Sequence, residues 1–169
     1  MKSLTAILLA SVVSASSFAS EIKITLINKH SDAGIWVNKA HFEDCEPHPT
    51  VPVWCILPPN SESTMTQTLD DEDWTSHYRD FRLVSMENNS EGRPELLSGA
   101  TITHQPAVPF TSLVCNTLGE SSKYAVRISA DTSPPLSFTC FENERNVQHQ
   151  RVTVENIIIA FDPELDRYK

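Results

Sequence analysis

The sequence predicts an all-β protein, an antiparallel β-sandwich of about eight to nine short strands with one short helix and two disulfides. Three observations carry that prediction. Segments of period two, rich in β-branched and aromatic residues, recur along the chain and are separated by Pro, Asn, Asp and Ser. Sustained helical periodicity is nearly absent. Four cysteines follow what reads as an export signal.

That signal is residues 1–19. Met1-Lys2-Ser3 is a short basic start, Leu4 to Val13 an apolar run, and Ser17-Phe18-Ala19 places small residues where a signal peptidase cleaves. The run is too short to cross a bilayer, and no transmembrane segment follows it. Residues 20–169 are then expected to form a single sandwich domain, secreted or periplasmic.

The strands follow in order. Glu21 to Asn28 sets Ile22, Ile24 and Leu26 on one face, and after a turn Ile35-Trp36-Val37 begins a return strand. Cys45 to Pro59, with Pro47, Pro49, Pro52, Pro58 and Pro59, reads as a surface loop pinned by its own disulfide. Met65 to Leu69, Phe81 to Met86, Ala100 to His104, Ser112 to Asn116, Lys123 to Ser129 and Leu136 to Phe141 continue the series. Arg151 to Phe161 reads as one strand, and Ile157-Ile158-Ile159 suggests a central strand covered on both faces. The short helix is expected near Asp71 to His77, where acidic residues complement a helix N-terminus. With four glycines in the whole chain, turns of positive φ are expected to fall to Asn and Asp, as at Asn88-Asn89 and Asp131, or to be replaced by Pro-shaped corners.

In an exported chain, an even set of cysteines favours structural disulfides over thiol or zinc chemistry. The pairing Cys45–Cys55 and Cys115–Cys140 is favoured because each closes a short loop. Acidic residues outnumber basic ones, 22 to 13, for a formal net charge of −9, and no basic stripe offsets it. Nucleic acid is therefore excluded as a partner class, and a basic or neutral partner is favoured.

Chemistry-bearing motifs are few. His41 to His48 gathers two imidazoles and three carboxylates in one loop, but without zinc-ligand spacing. Asp70 to Asp73 lacks the glycine a calcium loop uses at its bend. There is no nucleophile elbow, paired-histidine zinc motif or phosphate-cradling loop. No cofactor, metal or catalytic residue is assigned.

Aromatic residues give the binding reading. Trp36, Trp54 and Trp74 fall in or beside expected loops, and Pro52 stiffens the Cys45–Cys55 loop, so these four are the candidate binding residues. Trp36 faces opposite to Ile35 and Val37, which makes it the most exposed tryptophan if those two face the core. Trp54 precedes Cys55, a position from which a ring can pack on a disulfide. The expected function is that of an exported non-enzymatic binding protein recognising a protein or glycan through disulfide-braced loops.

One resemblance adds an alternative. The strand ending at Asn28, the strand from Ile35, and Leu57-Pro58-Pro59-Asn60-Ser61-Glu62-Ser63 entering a third resemble the opening of small cytolysin-like sandwiches. The resemblance implies a membrane- or carbohydrate-interacting module, although no amphipathic insertion segment is evident. A hydrolase whose site assembles only in the fold is the third alternative.

Overall fold

The computed structural model describes residues 20–39, 42, 45–48, 51–69, 77–104, 111–114, 124–140, 149–152, 154 and 156–168. The expected leader, Trp74, Cys115 and residues 71–76 of the expected helix lie outside that set; His77, the last expected helical residue, begins a strand.

Twelve strands occur among the described residues. They are β1 Ser20–Asn28, β2 Ala33–Asn38, β3 Glu46–Pro47, β4 Trp54–Leu57, β5 Ser61–Leu69 and β6 His77–Asn88. After them come β7 Pro94–His104, β8 Thr111–Val114, β9 Val126–Ala130, β10 Leu136–Cys140, β11 His149–Val152 and β12 Asn156–Phe161, then a 3-10 helix over Pro163–Tyr168. They form a five-stranded sheet, β10-β9-β12-β1-β5, and a seven-stranded sheet, β11-β8-β7-β6-β2-β4-β3. Buried residues of both sheets make one core, as the predicted sandwich requires.

Alternation explains which residues reach that core. Ile22, Ile24 and Leu26 point inward from β1, and Ile157, Ile159 and Phe161 from β12. From the other sheet come Ile35 and Val37 of β2, Leu57 of β4, Phe81 and Leu83 of β6, and Leu113 of β8. Phe42, beyond β2, packs edge-on against Phe81 with ring centroids 6.2 Å apart. Each of these large apolar side chains contributes about 2 kcal/mol by leaving water.

Several expectations are corrected. Among the described residues the pairings are antiparallel with one exception, β1 against β12, where Ile24 is level with Ile157 and Leu26 with Ile159. A parallel pair needs a long crossover, and here nearly the whole described chain lies between the two strands. Arg151 to Phe161 is not one strand: β11 pairs with β8 in one sheet and β12 with β9 and β1 in the other. The chain changes sheets between Val152 and Asn156, and Val154 is buried in that crossing. Nor is β12 covered on both faces, because its outward residue Ile158 is 40% exposed.

The Pro-rich stretch after Cys45 also departs from a plain loop. Trp54-Cys55-Ile56-Leu57 is a four-residue strand that pairs with β2 on one side and with β3 on the other. Its described prolines fall in β3 or in the turns flanking β4, where they take no donor from a central ladder. Cys45–Cys55 is a disulfide with a Cα separation of 5.5 Å, and Cys55 is fully buried. Cys140, buried on β10, is not a free thiol either, while its expected partner Cys115 lies outside the described residues.

Turns use different devices from those expected. Among the described residues, positive φ occurs at Asn60 (53°) and Gly92 (75°), not at Asn88, Asn89 or Asp131. Asn89 instead works through its side chain, whose Oδ1 accepts N–H bonds from Glu91 and Arg93 at 3.0 and 3.1 Å. Asn28, buried at the end of β1, binds two turns together. Its amide donates to the carbonyls of Ala33 (2.8 Å) and Pro58 (3.0 Å), and its Oδ1 accepts from His30 N.

Candidate functional site: an aromatic cluster on the seven-stranded sheet

β2 alternates Ile35 and Val37 into the core, so Trp36 stands on the outer face of the seven-stranded sheet, as its sequence neighbours imply. β4 alternates in the same sense: Cys55 and Leu57 are buried inward, while Trp54 and Ile56 share the outer face with Trp36. Trp54 therefore does not stack in the core on its adjacent disulfide. The cystine lies on one side of β4 and the indole on the other.

The hairpin bends its own residues over this face. His48 donates its backbone N–H to Trp54 O at 3.0 Å, and Trp54 N–H donates to Val51 O at 3.0 Å, closing a four-residue turn with Pro52 second. Lys39 N–H donates to Val53 O, also at 3.0 Å, tying the hairpin tip to the end of β2. Within the turn, Val51 N–H donates to His48 Nδ1 at 3.1 Å. That bond leaves Nδ1 as an acceptor and orients the imidazole. Its ring meets Trp36 edge-to-face at 4.5 Å, and Trp36 in turn packs against Trp54 at 6.3 Å.

Arg82 supplies the charge. It is level with Trp36 across the β2–β6 ladder, and its guanidinium reaches past β2 to lie 5.7 Å from the Trp54 ring centroid. Asp80, two residues earlier on the same face, receives Arg82 Nη2 at 3.0 Å through one carboxylate oxygen and Thr101 Oγ1 at 2.8 Å through the other. Arg82 and Asp80 are both more than a third exposed, so this pair orients side chains more than it stabilises the fold.

Apolar residues extend the cluster along the face. Ile56, Val84 and Met86 take the outward positions, with Met86 51% exposed. Gly34 makes their closure possible: a Cβ there would sit 2.5 Å from Ile56 Cγ2 and 3.1 Å from Met86 Sδ. At the hairpin tip Pro52 is exposed and Val53 is 60% exposed.

Of the four candidate binding residues, Trp36 and Trp54 come together, Pro52 stands at the tip of the same hairpin, and Trp74 lies outside the described residues. Sequence reasoning missed Arg82 and Val53, and weighed His48 only within a metal-candidate loop to which no metal was assigned. Period two in Phe81-Arg82-Leu83 places Arg82 opposite to two core residues, which was a usable signal. Nothing in the sequence shows that His48 folds back onto Trp36.

Of the metal-candidate loop His41 to His48, His41, Glu43 and Asp44 lie outside the described residues. Among the described residues no group of three His, Cys, Asp or Glu side chains converges, and Cys45 is committed to the disulfide. Among the described residues, too, no helix is long and apolar enough to cross a membrane. No family model, curated protein or solved structure matches this chain.

Proposed function

We propose that this chain is an exported, non-enzymatic binding protein that recognises a protein or glycan partner through the outer face of its seven-stranded sheet. The observation that supports this reading is the convergence of Trp36, Trp54, His48 and Arg82 beneath a disulfide-braced hairpin. Two indoles provide apolar stacking area at low entropic cost, and the Arg82–Asp80 pair adds directional hydrogen bonds beside them. The hairpin is already ordered by its disulfide and cross-turn bonds, so little freedom is lost when a partner docks. Export is supported by the Cys45–Cys55 disulfide.

The test uses residues 20–169 with disulfides formed. A photo-crosslinking side chain at exposed Val53 is irradiated in periplasmic and culture extracts, and the same protein is applied to a glycan array. One adduct or glycan class is expected that disappears in Trp36→Ala and in Trp54→Ala while Thr64→Ala, on the other sheet, retains it. Capture that is indifferent to both tryptophans would overturn the proposal. The cytolysin-like alternative predicts flotation with liposomes that depends on Val53, Met86 and the same indoles; protein remaining at the bottom of the gradient removes it.

A further inference from the structure

Among the described strands each sheet has two edges, and three of the four are guarded. β3 has two residues, one of them Pro47; β10 has five and follows Pro134-Pro135; β11 has four and carries Arg151. Short length, proline and charge are the ordinary means of stopping further strands from adding. β5 has none of the three protections in strength. It runs nine residues, Ser-Glu-Ser-Thr-Met-Thr-Gln-Thr-Leu, with Glu62 as its one charge. It pairs with β1 without a bulge from Ser20↔Leu69 to Asn28↔Ser61.

The direction of its free groups follows from the ladder. Lys29 N–H donates to Phe161 O at 2.9 Å on the β12 side, whereas His30 O accepts from Asn60 N at 3.0 Å on the β5 side. Odd residues of β1 thus address β12 and even ones address β5. By register, residues 61, 63, 65, 67 and 69 of β5 face β1. Glu62, Thr64, Thr66 and Thr68 then turn their N–H and C=O groups away from the sheet, and among the described residues nothing pairs with them. The 3.1 Å hydroxyl contact of Thr64 with Thr25 fits a non-hydrogen-bonded position in that ladder.

At the Ser61 end the edge runs into a cleft of about 630 Å³ where β1, β5 and the residues after β12 meet. Lys29, Glu62, Asp162 and Glu164 line it. Lys29 Nζ is held by Asp162 at 2.8 Å, while Glu62 and Glu164 are exposed and have no ion pair among the described residues. The cleft is therefore acidic, as is the chain.

We infer that β5 is a strand-addition site for an extended segment of a partner protein, running antiparallel to β5 with basic residues at its C-terminal end. Antiparallel addition satisfies the outward groups of Glu62, Thr64, Thr66 and Thr68 and brings the incoming C-terminal end beside Glu62 and Glu164. Main-chain bonds supply affinity and the acidic cleft supplies direction. This site lies on the other sheet from the aromatic cluster and does not depend on it.

The probe is a fluorescein-labelled peptide, Thr-Val-Thr-Val-Thr-Val-Arg-Lys amide, compared with a version ending Glu-Glu and one carrying Arg-Lys at the N-terminal end. Fluorescence polarisation on residues 20–169 should show saturable binding of the first, with about tenfold weaker binding of the other two. Thr66→Pro removes an outward N–H without touching the β1 ladder. It should weaken the first peptide by about tenfold while the melting temperature stays within a few degrees. Glu62→Gln with Glu164→Gln should abolish the preference for the basic end. Trp36→Ala should leave peptide binding intact, so failure of the tryptophan-face reading and failure of this one are told apart. No binding of any peptide overturns the inference, as do equal binding of all three and a Thr66→Pro protein that binds as tightly as the wild type. A wild-type dimer that Thr66→Pro converts to monomer also overturns it, by giving the edge to a second copy.

Discussion

The outer face of the five-stranded sheet presents Lys23 and Thr25 from β1, Thr64 and Thr66 from β5, Arg127 and Ser129 from β9, and Ser137 from β10. The outer face of the seven-stranded sheet presents Trp36, Trp54, Ile56 and Met86 around the Arg82–Asp80 pair, with Val84 buried beneath them. Both sheets bury inward residues in one core. Alternation therefore accounts for what each sheet gives to the interior and leaves the outer positions free. Polar residues on the first face need no explanation beyond solvent. Aromatic and aliphatic residues gathered on the second do, since contiguous apolar surface marks a place where something docks. The disulfide belongs to the same side of the comparison: the hairpin it braces covers only the seven-stranded sheet.

The largest effect on the aromatic face should come from that brace. Replacing Cys45 and Cys55 together by Ser opens a loop of 10 residues, worth about 3 kcal/mol by loop-closure entropy. Guanidinium unfolding should report that loss, and the near-ultraviolet circular dichroism of Trp36 and Trp54 should weaken in the still-folded protein. An unchanged tryptophan signal would mean that the hairpin holds the cluster without its disulfide.

Trp36→Ala comes next. The indole is half-buried between His48 and Trp54, so its removal should cost about 2 kcal/mol, below the range for a fully buried aromatic. Thr64→Ala, on the opposite outer face, should stay within about 0.5 kcal/mol. Equal losses at the two sites would erase the distinction between the faces. Gly34→Ala sharpens it further. The added methyl would also meet Leu57 O at 3.3 Å, so backbone as well as side chains must give, at a cost of about 1–2 kcal/mol.

Acid should act below both faces, at the turns that join the sheets. Burial of His30 against Tyr124 depresses its imidazole below the ordinary value of 6.5, outweighing the opposing pull of Asp32 and Asp162. The unfolded chain therefore takes up this proton first. Stability is full above about pH 6.5 and declines as pH falls from there toward the folded value. Asp162 adds a second step. Burial by itself would raise its carboxyl, but hydrogen bonds from Lys29 and Glu164 N–H, with the charges of Lys29 and Arg127, hold it below 3.8. Its contribution is present above 3.8 and is lost as pH falls through the folded value. His30→Gln should remove the upper step and spare the lower one; a denaturation midpoint flat from pH 8 to 5 in the wild type would refute the first assignment.

How far the sequence could be read follows from where period two is clean. β1, β2 and β10 were legible because apolar and polar residues alternate in them with turns close by. β3 and β4 were hidden by the prolines around them, although Trp54-Cys55-Ile56-Leu57 holds two core and two surface positions in strict alternation. The parallel pairing of β1 with β12 was not legible, because register between the two ends of a chain leaves no local trace. The same holds for the site. Trp36 could be placed outside by its neighbours, but its meeting with His48 and Arg82 depends on which strands flank β2.

The isoleucine run in β12 makes the smallest prediction and the cleanest comparison within one strand. Three consecutive isoleucines invite the reading of a strand buried on both sides, and β12 is indeed flanked by β9 and β1. Lateral pairing and facial burial are different things, however. Ile157 and Ile159 are fully buried, whereas Ile158 lies on the polar outer face at 40% exposure, with Ser129 and Thr25 level with it on the neighbouring strands. Ile158→Thr keeps β-branching and matches those neighbours, so stability should change by no more than about 0.5 kcal/mol. Ile159→Thr, one residue on, places a hydroxyl in the core with a smaller side chain and should cost about 2–4 kcal/mol. If Ile158→Thr proved as damaging as Ile159→Thr, the outer face of the five-stranded sheet would have to be covered. The contrast between a solvated face and a docking face would then fail.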